Sequence, residues 1–111
     1  MPAVVYTTED GWKQVRIVPK RASARDYGKG VLVGPPDLLE LQTIGLSVEE
    51  IRQINNALVE AGIVNYESLK GNRGMLVSIL REIVGQENVS SVRNYILYIF
   101  ERERFPDNFG E

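Results

Sequence analysis

The chain of 111 residues contains no histidine and no cysteine. Histidine is the side chain that most often acts as a general acid or base near neutral pH, and cysteine is the strongest common nucleophile. Without them the chain cannot build a Ser-His-Asp triad, a cysteine–histidine pair or a zinc site of the usual thiolate or imidazole type. We therefore predict no enzymatic activity, no catalytic residues, no metal site and no cofactor.

Long apolar runs are also missing. No stretch approaches the roughly 20 residues that a membrane-spanning helix needs, and residues 1–5 lack the basic and apolar segments of a secretory signal. A cytoplasmic protein with no membrane contact is therefore expected. The hydrophobic fraction of 43% and the charged fraction of 25% are typical of globular proteins, and the length favours a single domain over residues 1–111.

The net charge of −2 is distributed unevenly. Residues 1–30 carry six basic and three acidic side chains, a net charge of +3, whereas residues 31–111 carry seven basic and twelve acidic side chains, a net charge of −5. A basic head on an acidic body can bind an anionic partner or the acidic body of a neighbouring copy.

The head has the pattern of β-strands. Residues 4–8 and 12–18 are rich in β-branched and aromatic side chains, and Glu9, Asp10 and Gly11 between them are typical of a hairpin turn. Residues 30–34 form a short apolar stretch bounded by glycines, which predicts a third strand. Residues 19–30 have neither a strand period nor a helix period and are expected to form a long basic loop or arm.

The body has the pattern of helices. Asp37 can cap a short helix over residues 38–42, and Ser47 with Glu50 forms a capping box ahead of the apolar positions Ile51, Ile54, Leu58 and Ala61. This helix is expected to end at Gly62. Three further helices are predicted: Tyr66–Lys70 capped by Asn65, a helix capped by Asn72 that ends at Gly85, and a last helix that Ser90 or Ser91 can cap and that runs to about Arg104.

These elements predict an α+β fold, with an N-terminal β-hairpin or short strands followed by a bundle of three to four short helices. The head covers residues 1–36 and the helical body residues 37–105. Residues 106–111 are expected to form a mobile tail.

Three motifs that would suggest other functions depart from their patterns. Residues 28–34 are glycine-rich but match neither a Walker loop nor a dinucleotide-binding loop, so we interpret them as a glycine-bounded strand. The carboxylate pairs at residues 49–50 and 101–103 lie at predicted helix ends, where solvated acids are common. Residues 58–69 resemble a helix-hairpin-helix module, which implies contact with a DNA phosphate. Glu60 and Glu67 would repel that phosphate, so we interpret the segment as helix packing.

The basic head is the first candidate binding site. Its side chains can engage an anionic protein surface, and the residues expected to do so are Arg16, Lys20, Arg21, Arg25, Tyr27 and Lys29. Nucleic acid is the alternative partner, bound through residues 13–29 with Trp12 or Tyr27 stacking on bases. Against that alternative, the chain is acidic overall, with a sequence pI of about 5.2.

The last predicted helix is the second candidate. Residues 95–100 have a strand-like composition taken alone, but their surroundings favour a helix with Val92, Ile96 and Ile99 turned inward. Such a helix would leave an outward interface for a protein partner or a second copy, formed by Tyr95, Leu97, Tyr98 and Phe105. The open alternative is a larger intramolecular core that covers both sides.

The sequence thus favours a non-catalytic protein-interaction or assembly module, a design that suits a small component of a multi-subunit or phage-like assembly. The alternative is a nucleic-acid-binding regulator that uses the basic N-terminal head.

Overall fold

The computed structural model describes residues 3–17 and 31–108, with side chains described for residues 4–15 and 34–108. The described chain has an α+β fold in which a small N-terminal sheet precedes four α-helices. The predicted fold class is therefore confirmed. None of the helices in these ranges is long and apolar enough to cross a membrane.

The sheet has three antiparallel strands in the order β1-β2-β3. Their bounds are Ala3–Thr7 for β1, Lys13–Ile17 for β2 and Val31–Val33 for β3. In the register, Val15 of β2 lies opposite Val5 on one side and opposite Val33 on the other. The predicted hairpin and the third strand are both present.

The hairpin turn depends on Gly11. Its φ of 89° is in the left-handed region, which glycine adopts without steric cost. A Cβ at this position would meet the guanidinium end of the flexible Arg52 side chain, which can move aside. The backbone conformation is therefore what requires glycine here.

In residues 34–108, four α-helices and three 3-10 helices follow the sheet. The α-helices are α1 (Val48–Glu60), α2 (Tyr66–Lys70), α3 (Arg73–Val84) and α4 (Val89–Arg104). The 3-10 helices are Leu39–Ile44, Gln86–Asn88 and Pro106–Asn108. The short helix predicted over residues 38–42 is the 3-10 helix Leu39–Ile44, and its N-cap is Leu38 and not Asp37. The Asp37 carboxylate does accept from the backbone N–H of Leu39, at 2.9 Å.

Helix α1 has the termini that the sequence predicts. The Ser47 hydroxyl accepts from the Glu50 N–H at 3.1 Å, and the Glu50 carboxylate accepts from the Ser47 N–H at 2.9 Å. Beyond the C-terminus, Gly62 takes a φ of 78°. The N–H of Ile63 then donates back to the carbonyl of Leu58 at 2.8 Å, which closes the last turn.

Two other predicted caps, those of α3 and α4, do not form. Asn72 does precede α3, but its side-chain amide donates back to the carbonyl of Ser68 at 2.8 Å and does not cap α3. Helix α4 begins at Val89, so the prediction that Ser90 or Ser91 caps it is wrong. The 3-10 helix Gln86–Asn88 runs directly into α4, and Val89 is buried in the core. The helix therefore starts one residue before Ser90.

Residues 95–100 are helical, so the strand-like composition of this stretch does not decide its structure. Burial at helical spacing outweighs it, because Val92, Ile96 and Ile99 all point into the core, as predicted. Phe100 is buried as well. The core joins the first 3-10 helix to all four α-helices, and its fully buried large side chains are Leu38, Leu41, Ile51, Ile54, Leu58, Ile63, Leu69, Leu76, Leu80, Ile96, Ile99 and Phe100.

Candidate interaction surface

The four predicted interface residues, three on α4 and Phe105 just after it, have three different sets of neighbours. Tyr95 lies beside the 3-10 helix Leu39–Ile44, and Tyr98 packs against Tyr95. Leu97 lines a groove against α3. Phe105 is half-buried, contrary to the exposed position expected for it, because its ring packs edge-on against Tyr66 of α2 with centroids 5.2 Å apart. The four residues therefore do not form one continuous patch.

Tyr95 and Tyr98 belong to a group of four side chains that we call the tyrosine–arginine cluster: Glu40, Tyr95, Tyr98 and Arg102. The Tyr95 hydroxyl donates to Oε2 of Glu40 at 2.6 Å. Nη1 and Nη2 of Arg102 donate to the two oxygens of the same carboxylate at 3.3 and 2.5 Å. The guanidinium also lies over the Tyr98 ring, 5.1 Å from its centroid.

The two tyrosine rings contact each other. Their centroids are 6.0 Å apart and their planes meet at 81°, the edge-to-face arrangement that aromatic quadrupoles favour. Thr43 adds a long hydrogen bond of 3.4 Å from its hydroxyl to that of Tyr95. Contacts from two sides therefore fix the Tyr98 ring on the surface.

The charges of the cluster are fixed. The hydrogen bond from Arg102 lowers the pKa of the Glu40 carboxyl, and the hydrogen bond from Tyr95 adds to this effect, while desolvation opposes it. The pKa of Arg102 is raised, chiefly by its hydrogen bond to Glu40 and then by one to Tyr98. Both groups are therefore ionised at neutral pH, which suits recognition by fixed charges more than proton transfer.

Tyr98 remains 42% exposed although its neighbours hold it in place. Two further large apolar side chains on the adjoining 3-10 helix are exposed to a similar degree, Leu39 at 41% and Ile44 at 39%. The cluster itself places an exposed aromatic ring beside an arginine, two residue types that are enriched at protein interfaces.

Glu40 and Arg102 are not among the residues that the sequence identifies. The i,i+4 spacing of Tyr98 and Arg102 on one helix face is a signal that their side chains meet. No sequence signal connects Glu40 to α4, because 55 residues separate it from Tyr95.

Most of the predicted basic site cannot be placed. Lys20, Arg21, Arg25, Tyr27 and Lys29 lie outside the described residues, and Arg16 is described only as a backbone position in β2 opposite Val4.

Within the described part of residues 13–29, Lys13 already pairs with Glu60 of α1 at 2.6 Å. Trp12, the proposed stacking residue, is half-buried against the helical core.

A depression separate from the groove beside Leu97 lies between the hairpin, residues 34–39 and α1. Its volume is about 800 Å³. Trp12 and Asn55 line it, together with the carboxylates of Asp10, Asp37 and Glu103. Within residues 3–17 and 31–108, no three acidic side chains come close enough together to hold a metal ion.

Comparison with protein-family models, with curated proteins and with solved structures found no match to this chain. The geometry of the chain itself is therefore the basis for inferring its function.

Proposed function

We propose that the protein is a non-catalytic protein-interaction or assembly module, and that the tyrosine–arginine cluster is its main contact. The observation that carries this proposal is Tyr98. It is an exposed aromatic side chain whose position is set by Tyr95 and Arg102 before any partner arrives.

Two physical arguments support a binding role. Tyrosine and arginine are enriched among the residues that contribute most to protein–protein affinity. A side chain that is already ordered loses little conformational entropy on binding, whereas an unconstrained one loses about 0.5–1.5 kcal/mol. The Arg102–Glu40 pair, with side chains 37% and 35% exposed, holds the Tyr98 ring in place and can also supply hydrogen bonds at the rim of a contact.

If the partner is a second copy of the same chain, the proposal can be tested with the purified protein alone. We expect the mass of the purified protein to rise above the 12.5 kDa of the monomer as concentration increases. Tyr98→Ala should weaken that association by about tenfold or more, the loss typical of a residue at the centre of an interface. Sedimentation equilibrium at several loading concentrations measures both quantities.

Met75→Ala is the matched control, because Met75 is an apolar residue on α3 that is 51% exposed and does not belong to the cluster. Its association constant should equal that of the unaltered protein. A protein that stays monomeric at every concentration would contradict the self-association form. Equal effects of the two substitutions would show that Tyr98 has no special role.

The alternative function is nucleic-acid binding through the basic head, which rests on the +3 charge of residues 1–30. It predicts binding to bulk DNA or RNA that weakens steeply as salt rises. Arg21→Glu with Arg25→Glu should abolish such binding and leave self-association through Tyr98 unchanged.

A further inference from the structure

A groove runs between α3 and α4 on a different side of α4 from the tyrosine–arginine cluster. It has a volume of about 400 Å³. The half-buried side chains of Val77 and Leu97 line it, and Arg73 and Arg93 contribute its charged groups. No acidic residue is among the described residues that line it.

The two arginines of this groove differ from the other arginines whose side chains are described. Arg52, Arg102 and Arg104 each pair with a carboxylate, and Arg81 donates to the Gln86 side chain at 2.6 Å.

Within the described part of the chain, the Arg73 side chain has no hydrogen-bonding or ion-pair partner, and the Arg93 side chain makes only contacts of 3.3 and 3.4 Å to the adjacent Asn94. Two guanidinium groups without a carboxylate therefore line one apolar groove.

We propose that this groove binds an acidic peptide segment of a partner protein, in which carboxylate side chains flank a bulky apolar side chain. Arg73 and Arg93 would take the carboxylates, since the guanidinium fork matches the two carboxylate oxygens. The apolar side chain would cover Val77 and Leu97. The net charge of −5 over residues 31–111 opposes any anion, and it opposes a long polyanion more than a short peptide with few carboxylates, so a nucleic acid fits less well.

Gly74 adds a specific feature to the groove. It lies in the first turn of α3 and lines the groove, and a Cβ built on it would meet no atom within 4 Å. Glycine is a poor helix former, so a larger residue would be preferred for the stability of α3 alone. Gly74→Leu should therefore place apolar atoms in the groove, since the Cβ has open space and leucine favours the helix more than glycine does.

The test uses the full chain and fluorescence anisotropy with a labelled hexapeptide, two leucines flanked on each side by two glutamates. One control peptide replaces the glutamates with glutamines, and the other replaces the leucines with serines. We expect the glutamate–leucine peptide to bind about tenfold tighter than either control, because the groove supplies both charge and apolar area. An oligothymidine of similar length should not displace it.

Three protein variants locate the site. Arg73→Glu combined with Arg93→Glu, and separately Gly74→Leu, should each weaken peptide binding by about tenfold or more. Arg81→Glu is the matched control, because it reverses an arginine on the same helix outside the groove, and it should change binding by less than about twofold. Circular dichroism checks that each variant is folded. If the variant with both arginine substitutions fails to fold, the peptide affinity of Gly74→Leu is the deciding measurement.

Several results would overturn the proposal. The first is that the folded protein does not bind the glutamate–leucine peptide. The second is that the serine peptide binds as tightly as the glutamate–leucine peptide, which would show that charge attraction alone accounts for the binding. The third is unchanged binding by Gly74→Leu, and the fourth is displacement by the oligothymidine. Tyr98→Ala should bind the peptide normally, so this proposal and the proposed self-association can fail independently.

Discussion

The side chain of Asn56 makes two hydrogen bonds between the hairpin and the helical body, and Asn56→Ala should loosen the hairpin. The Asn56 carboxamide oxygen accepts from the backbone N–H of Lys13 at 2.8 Å, and its NH₂ group donates to the carbonyl of Gly11 at 2.7 Å. Asn55, which is 8% exposed, donates to the carbonyl of Lys13 at 3.1 Å and supports the same contact.

Asn56→Ala removes three hydrogen bonds: the two to the hairpin, and one of 3.1 Å in which Nδ2 of Asn55 donates to the Asn56 carboxamide oxygen. Asn55 keeps its bond to the Lys13 carbonyl, so the two hairpin bonds set the magnitude, at about 1–1.5 kcal/mol each and about 2–3 kcal/mol together. Alanine is a better helix former than asparagine by about 0.6 kcal/mol, and this gain within α1 offsets part of the loss. The net destabilisation should therefore be about 1.5–2.5 kcal/mol.

Urea denaturation with two probes measures the effect. Trp12 is the single tryptophan and lies at the end of the hairpin turn, so its fluorescence reports the docking of the hairpin, whereas far-ultraviolet circular dichroism reports the helices. In Asn56→Ala the fluorescence transition should move to lower urea than the helical transition. Gln53→Ala is the control, because Gln53 is exposed on the same helix and bonds only to Glu49. Equal stability of the two variants would refute the reasoning.

Three further substitutions test other parts of the fold. Leu58→Asp places a charge at a site with no exposure and should cost several kcal/mol, comparable to the whole stability of a small domain, so thermal melting should show no cooperative transition. Gly62→Ala forces a φ of 78° on a residue with a Cβ and should cost about 1–2 kcal/mol, measured by urea denaturation. Glu40→Gln should be less stable than the unaltered protein at neutral pH. The pKa of folded Glu40 lies below its ordinary 4.5, so its stabilisation is complete above that pH and lost as the pH falls through the folded-state value. The stability difference should therefore shrink in acid, which urea titrations at several pH values would detect.

The helical body could be predicted closely because its signals are local. Ser47 and Glu50 form their capping box through contacts three residues apart, and Gly62 ends α1 through its own backbone conformation. The start of α4 could not be predicted in this way. It depends on a preceding 3-10 helix and on the burial of Val89, both of which are set by tertiary packing.

The candidate surface was less predictable for the same physical reason. The exposure of Tyr98 follows from the periodicity of α4, since Ile96 and Ile99 occupy the inward face. The role of Glu40 does not follow, because it results from a long-range contact between α4 and the 3-10 helix Leu39–Ile44. The groove at Arg73 and Arg93 could not be predicted from the sequence either, since it requires α3 and α4 to pack side by side.

Leu97 and Tyr98 are adjacent in sequence but lie about 100° apart around α4, so they face different neighbours. Leu97 lines the groove with α3, and Tyr98 stands beside Tyr95 and Arg102. A double substitution at both positions would therefore disturb two surfaces at once. Tyr98→Ala and Gly74→Leu separate them, and their combination tests whether α4 couples the two sites. If the sites are independent, the effects of the two substitutions on the free energy of association should add in the double variant to within about 0.5 kcal/mol, and so should their effects on the free energy of peptide binding. A larger departure, measured by sedimentation with and without the peptide, would show that binding in the groove changes the tyrosine–arginine cluster.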